Sequence, residues 1–135
     1  DALNVENWMP TVMRQKDKTG DGKIIISMWY LIHEIARHST NVVADFLTNI
    51  YNSCSDAHLL LGEIVNVSPE QLAFSHHGSI MPEFLFFHEL SGQGVLTWDQ
   101  YQQLLDLIPY KLINEQKFDT VGQIPSAIVW YFQPK

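Results

Sequence analysis

Apolar positions along this chain recur mostly at three- and four-residue spacing, which predicts helices. Val5, Trp8, Met9, Val12 and Met13 fall on one face of a helix from Val5 to Lys16. Asn4 suits its cap and Glu6 its first turn, while Pro10 kinks it or moves its start to about Met9. A second helix, Ile26 to His38, aligns Trp29, Ile32, His33 and Ala36 on one stripe. Thr40 caps a third, Asn41 to Tyr51, which ends in the polar cluster Asn52-Ser53-Cys54-Ser55-Asp56. Beyond the apolar run Leu59-Leu60-Leu61, Ser68 and Pro69 open a short helix that His76-His77-Gly78 breaks. Pro82 to Leu90, with Phe84, Leu85, Phe86 and Phe87, fits a short buried helix. Val95 to Ile108 carries Trp98, Tyr101, Leu104, Leu105 and Ile108 at helical spacing and ends at Pro109. Leu112 to Phe118 reads as a weaker helix, and Ser126 to Phe132 as a last apolar segment. The pattern predicts an all-α protein.

Between the first two helices lies Asp17-Lys18-Thr19-Gly20-Asp21-Gly22-Lys23-Ile24. Asp17, Thr19 and Asp21 put oxygen-bearing side chains at alternate positions, a glycine allows a sharp turn, and an aliphatic residue follows. This run, set between two helices, resembles the start of an EF-hand calcium loop. Counted as twelve residues, that loop covers 17–28, with the Lys23 carbonyl at position seven. Met28 stands at twelve, where the family has a bidentate Glu. A related run, Glu89 to Gln100, has Gly94 and Leu96 where the first has Gly22 and Ile24. Degenerate counterparts fall near 52–63 and 119–127.

The resemblance implies paired helix-loop-helix units in two small lobes, 1–66 and 67–135, similar to calmodulin-type proteins and light chains. Calcium would be weak or absent, and confined to the first loop through Asp17, Thr19, Asp21 and Lys23. The implied function is a non-enzymatic, regulatory protein-binding module. An amphipathic partner helix would dock in apolar grooves lined by Trp29, Phe84, Phe87 and Trp98.

Charge adds a rival. Eight basic against fifteen acidic residues give a net charge of −7, which argues against nucleic-acid binding. It suits a basic partner, so a small acidic inhibitor or immunity-type protein is the alternative. No apolar run approaches the eighteen or so residues of a membrane span. The single Cys54 fits a reducing, cytoplasmic setting and an inert thiol. Asp1 in place of Met suggests a processed chain or a piece of a longer one.

The histidines support a metal-dependent enzyme only as a third reading. His33 and His38 are five residues apart, roughly 140° around a helix, where a zinc helix needs four. They therefore read as a solvated helix face with Glu34. His76, His77, His88 and Glu89 form a looser group. With no phosphate-binding glycine loop and no nucleophile elbow, nothing in the sequence argues for catalysis.

Overall fold

A computed structural model describes residues 3–20, 22–37, 39–68, 81–118 and 124–135. In chain order the elements are α1 (Val5–Thr19), β1 (Ile25–Trp29), α2 (Ile32–Ala36), α3 (Thr40–Ser53), β2 (His58–Ile64), α4 (Met81–Ser91), α5 (Trp98–Leu107), β3 (Tyr110–Phe118) and β4 (Ala127–Pro134). The four strands form one mixed sheet in the order β1-β2-β4-β3. β1 runs parallel to β2, while β4 is antiparallel to both of its neighbours, β2 and β3. The expected all-α class and the EF-hand resemblance are therefore both corrected to an α/β architecture. Strands from both halves of the chain share the sheet.

Four helices follow their local signals. α1 keeps its apolar stripe and begins ahead of Pro10, which sits inside it. α3 begins at Thr40, which is not its cap as expected; Ser39 caps it, its side chain accepting from Val42 N–H, and the helix buries Val43, Ala44, Phe46, Leu47 and Ile50 at helical spacing. α4 covers nearly the predicted span. α5 opens with a reciprocal capping box between Thr97 and Gln100, and buries Tyr101 and Leu104. The short helix expected after Ser68 lies outside the described residues.

The remaining apolar segments form strands. Ile24-Ile25-Ile26 and Ala127-Ile128-Val129-Trp130-Tyr131-Phe132 are β-branched and aromatic runs, whose side chains suit a pleated surface. At short length such runs also satisfy helical spacing, so periodicity alone cannot tell the two apart. The expected loop at 17–28 is divided between the last turn of α1, a connector and β1, with the chain leaving α1 at Gly20, φ 71°. Met28 is buried on β1. The span 52–63 is the end of α3 followed by most of β2, and 89–100 runs from the end of α4 to the start of α5. The span 119–127 lies partly outside the described residues; its end starts β4.

β2 is central and almost wholly buried, as a strand covered on both faces requires. One face of the sheet presents Met28, Leu59, Leu61, Trp130 and Phe132 to a core shared with Val43, Leu47, Ile50, Tyr101 and Leu104. Alternation turns Ile25, Ser27 and Trp29 to the other face, where they are exposed. The two edges also differ. β3 carries Lys111, Glu115 and Lys117 and a register shift between Leu112 and Asn114, all of which discourage further pairing. β1 has no charged residue along its length.

Candidate active site at the carboxyl ends of β1 and β2

In open α/β sheets, ligands bind beyond the carboxyl ends of the parallel strands. Here that position belongs to the turn after β1 and the last residues of β2. β1 ends at Trp29, and Tyr30 follows with φ 54°, a left-handed conformation that is costly for an aromatic residue. The Tyr30 N–H donates to the Gly62 carbonyl at 2.9 Å, which holds the turn against β2. Trp29 lies directly over Gly62, and a Cβ there would sit 2.0 Å from the indole. The turn delivers α2, whose second residue is His33.

His33 is 3% exposed and Glu63, near the end of β2, is 2% exposed. Their side chains meet, with His33 Nδ1 3.0 Å from Glu63 Oε2. The second carboxylate oxygen, Oε1, accepts the Ile32 N–H at 2.6 Å. A carboxylate can only accept, so Nδ1 carries the proton shared with Glu63, and in the neutral ring Nε2 keeps its lone pair. Parallel pairing of Trp29 with Gly62 sets the two residues at this height. Behind them Tyr101 donates to the Ile64 carbonyl at 3.0 Å and pins the end of β2. Burial first, and the charge of Glu63 second, push the Tyr101 phenol well above its ordinary range.

The far side of His33 is covered by α4 and the loop after it. The His88 ring stands edge-on to His33 at 5.0 Å, and Phe84 does the same at 6.1 Å. Phe84 and His88 are themselves stacked at 3.6 Å. His88 Nδ1 lies 2.7 Å from the Phe84 carbonyl, one helical turn back, which fixes the ring. Glu34 Oε1 is 3.7 Å from His33 Nε2 and accepts a hydrogen bond from the Gln93 side chain. Gly94 keeps that loop in place, because a Cβ there would come within 2.7 Å of the Ala36–Arg37 backbone.

A buried imidazole oriented by a buried carboxylate at one nitrogen, with no hydrogen bond at the other among the described residues, is the arrangement of a general base. The spacing of His33 and His38 reads as a solvated helix face, and the EF-hand resemblance puts Glu63 in a degenerate loop; the structure buries both residues. The missed signal is Glu63 itself, a lone acid inside Leu59-Leu60-Leu61-Gly62-Glu63-Ile64-Val65. A charge in such a run is buried, and a buried charge needs a partner.

Asp17 and Thr19 belong to α1, with Asp17 exposed, Lys23 lies in the connector, and Asp21 is outside the described residues. Among the described residues no group of three or more His, Cys, Asp or Glu side chains is placed to hold a metal ion, and calcium finds no support. His76 and His77 also fall outside the described residues. Of the four expected partner-docking residues, Phe84 covers His33 and Trp29, 51% exposed, flanks the site. Phe87 is exposed on α4. Trp98 is partly buried against Trp130, with the Lys117 ammonium over its ring at 4.6 Å. Among the described residues no helix is long and apolar enough to cross a membrane.

No family model and no curated protein matches the sequence. The fold does match solved structures. The crystal structure of LaPhzM superposes with a TM-score of 0.53 at 12% identity, over 94% of this chain and 40% of that one. LepI in complex with SAM gives 0.51 at 9% identity, over 94% of this chain and 41% of LepI. A point variant of LepI, bound to SAH and a substrate analogue, gives 0.51 at 9% identity over 96% and 41%. This chain thus spans about two fifths of the length of the structures it resembles. At these identities the superpositions show a shared fold alone. With the EF-hand fold replaced by an α/β fold shared with LaPhzM and with LepI, which has been solved with SAM, the non-enzymatic regulatory module and its acidic-inhibitor alternative are both withdrawn.

Proposed function

We propose that the chain forms the acid–base half of an S-adenosylmethionine-dependent transferase, with His33 as the general base toward a hydroxyl-bearing acceptor. One observation carries this reading: the buried His33–Glu63 pair lies at the carboxyl end of the parallel strands, in a fold shared with LepI, which has been solved with SAM and SAH. The residues at hand fit part of such a cofactor. Trp29 and Tyr30, both half exposed, offer flat apolar surface beside the site for an adenine ring. Glu34 supplies negative charge near a cationic sulfonium. The described strands bring no glycine-rich turn with them, so the rest of the cofactor would be held by elements beyond this fold unit.

When bound, an S-adenosyl donor supplies an electrophilic methyl group. The work of this chain lies on the acceptor side. His33 Nε2 takes the hydroxyl proton as the oxygen becomes nucleophilic, and Glu63 holds the ring and stabilises the imidazolium that results. Positioned proton removal of this kind contributes roughly 10²–10⁴ in rate. Phe84, His88 and α4 keep water from the base.

Two measurements test this. SAH should quench Trp29 fluorescence on binding the protein, and label from methyl-labelled SAM should pass to a hydroxyl-bearing acceptor. His33→Gln should lower transfer at least about 100-fold while leaving SAH affinity near native. Native transfer rates in that variant, or no SAH binding by the wild-type protein, would rule the reading out.

A further inference from the structure

A base buried to 3% exposure must pass on each proton it takes before it can act again. Among the described residues His33 has few routes out. Nδ1 faces Glu63, which is as buried as His33 and already accepts from Ile32 N–H. The rings of Phe84 and His88 stand against the imidazole from α4, and His88 Nδ1 is engaged by the Phe84 carbonyl. Glu34 is the acidic group on the Nε2 side: its Oε1 lies 3.7 Å from Nε2 and its side chain is 40% exposed. One end of Glu34 thus faces the base and the rest faces water.

We infer that Glu34 is the outlet through which His33 returns its proton to solvent, with Gln93 as the residue that holds the Glu34 carboxylate in line. At 3.7 Å the pair is not hydrogen-bonded, so Nε2 stays free to receive a proton. Once Nε2 is protonated, the imidazolium attracts the carboxylate and a charge-assisted hydrogen bond can close. The N–H bond at Nε2 then breaks and leaves its electron pair on the ring, an O–H bond forms at Glu34, and water takes the proton from there. Gln93 donates to the same Oε1 that faces His33, so it fixes the atom the transfer needs. Glu34 and Gln93 act through His33 and are positioning residues.

The inference rests on the reading of His33 as a base, but its test needs neither methyl donor nor acceptor. In ¹⁵N-labelled protein, saturation transfer from water measures how fast the Nε2 proton of the protonated His33 ring exchanges. Glu34→Gln should slow that exchange about tenfold at constant pH. Glu34→Asp, which keeps the acid, should restore most of it, and Gln93→Ala should give an intermediate loss. Amide spectra and melting temperatures should match native in all three. Native exchange in Glu34→Gln, or an equal loss in Glu34→Asp, would overturn the outlet. Glu34-dependent exchange together with His33-independent transfer would sink the function proposed above and leave the outlet standing.

Discussion

The two ends of the sheet each set a carboxylate beside a basic group, and they differ in their access to water. At the amino end of β2, Lys16 reaches Asp56 across an exposed surface, and the buried Cys54 thiol donates to the same carboxylate at 3.3 Å. The Lys16 hydrogen bond, then that of Cys54, hold Asp56 below the usual carboxylate range. Burial pushes the Cys54 thiol up. At the carboxyl end, His33 and Glu63 make a comparable contact almost wholly out of water. An exposed ion pair contributes little, since solvent and salt screen it. A buried one is costly to assemble, and apolar side chains of the same volume often serve a core as well. The proton transfer proposed above gives a reason to maintain such a pair, and burial separates the candidate site from the surface contact.

The largest effect should come from removing one member of the buried pair. Glu63→Ala leaves His33 and the Ile32 N–H without their partner and should cost about 3–5 kcal/mol in urea denaturation. Replacing both His33 and Glu63 with Leu should recover most of that loss while abolishing activity. A double variant as unstable as Glu63→Ala would mean that the pair itself holds the fold.

Alkaline pH reaches both ends at once. The Tyr101 phenol, and that of Tyr110 at the start of β3, are raised chiefly by burial. An unfolded tyrosine ionises near 10, whereas these two stay protonated in the folded chain. Their contribution is therefore complete below about pH 10 and is lost as pH rises, at roughly 1.4 kcal/mol per pH unit for each phenol. Stopped-flow absorbance at 295 nm should show their tyrosinate signal arriving with unfolding and not before it.

Single phenols should then distinguish the ends. Tyr101 donates to the Ile64 carbonyl, so Tyr101→Phe should cost about 1–2 kcal/mol. The Tyr110 hydroxyl is buried with no partner among the described residues, and Tyr110→Phe should be neutral or stabilising by up to about 1 kcal/mol in thermal melts. The smallest effect belongs to the exposed pair. Lys16→Met should leave the melting temperature unchanged in 0.5 M salt. Any low-salt effect should be present above the ordinary carboxylate range and fade as pH falls through the lowered value of Asp56.

The helices are largely legible in the sequence. Asn41–Tyr51 corresponds to Thr40–Ser53, Pro82–Leu90 to Met81–Ser91, and Val95–Ile108 to Trp98–Leu107. The strands are not: by spacing, β1 and β3 read as helix, and β2 and β4 as apolar runs of no definite class. Trp29 and Ile32 sit three apart and mimic a helical stripe, although a β-strand and a helix meet between them. Asp17, Thr19 and Asp21 look like the start of a metal loop in sequence, although Asp17 and Thr19 stand in the last turn of α1. The pair that matters, thirty residues apart, carries no local motif at all.

Helix faces, caps and breaks depend on residues within a few positions of one another, so the chain's own order decides α1, α3, α4 and α5. Whether Ile24–Trp29 and Ala127–Phe132 are strands depends on β2 lying between them, because a strand's hydrogen bonds are all made to another segment. The register of Trp29 on Gly62 then brings His33 to Glu63. That contact, and the burial that gives it chemical meaning, arise only when distant parts of the chain are packed together.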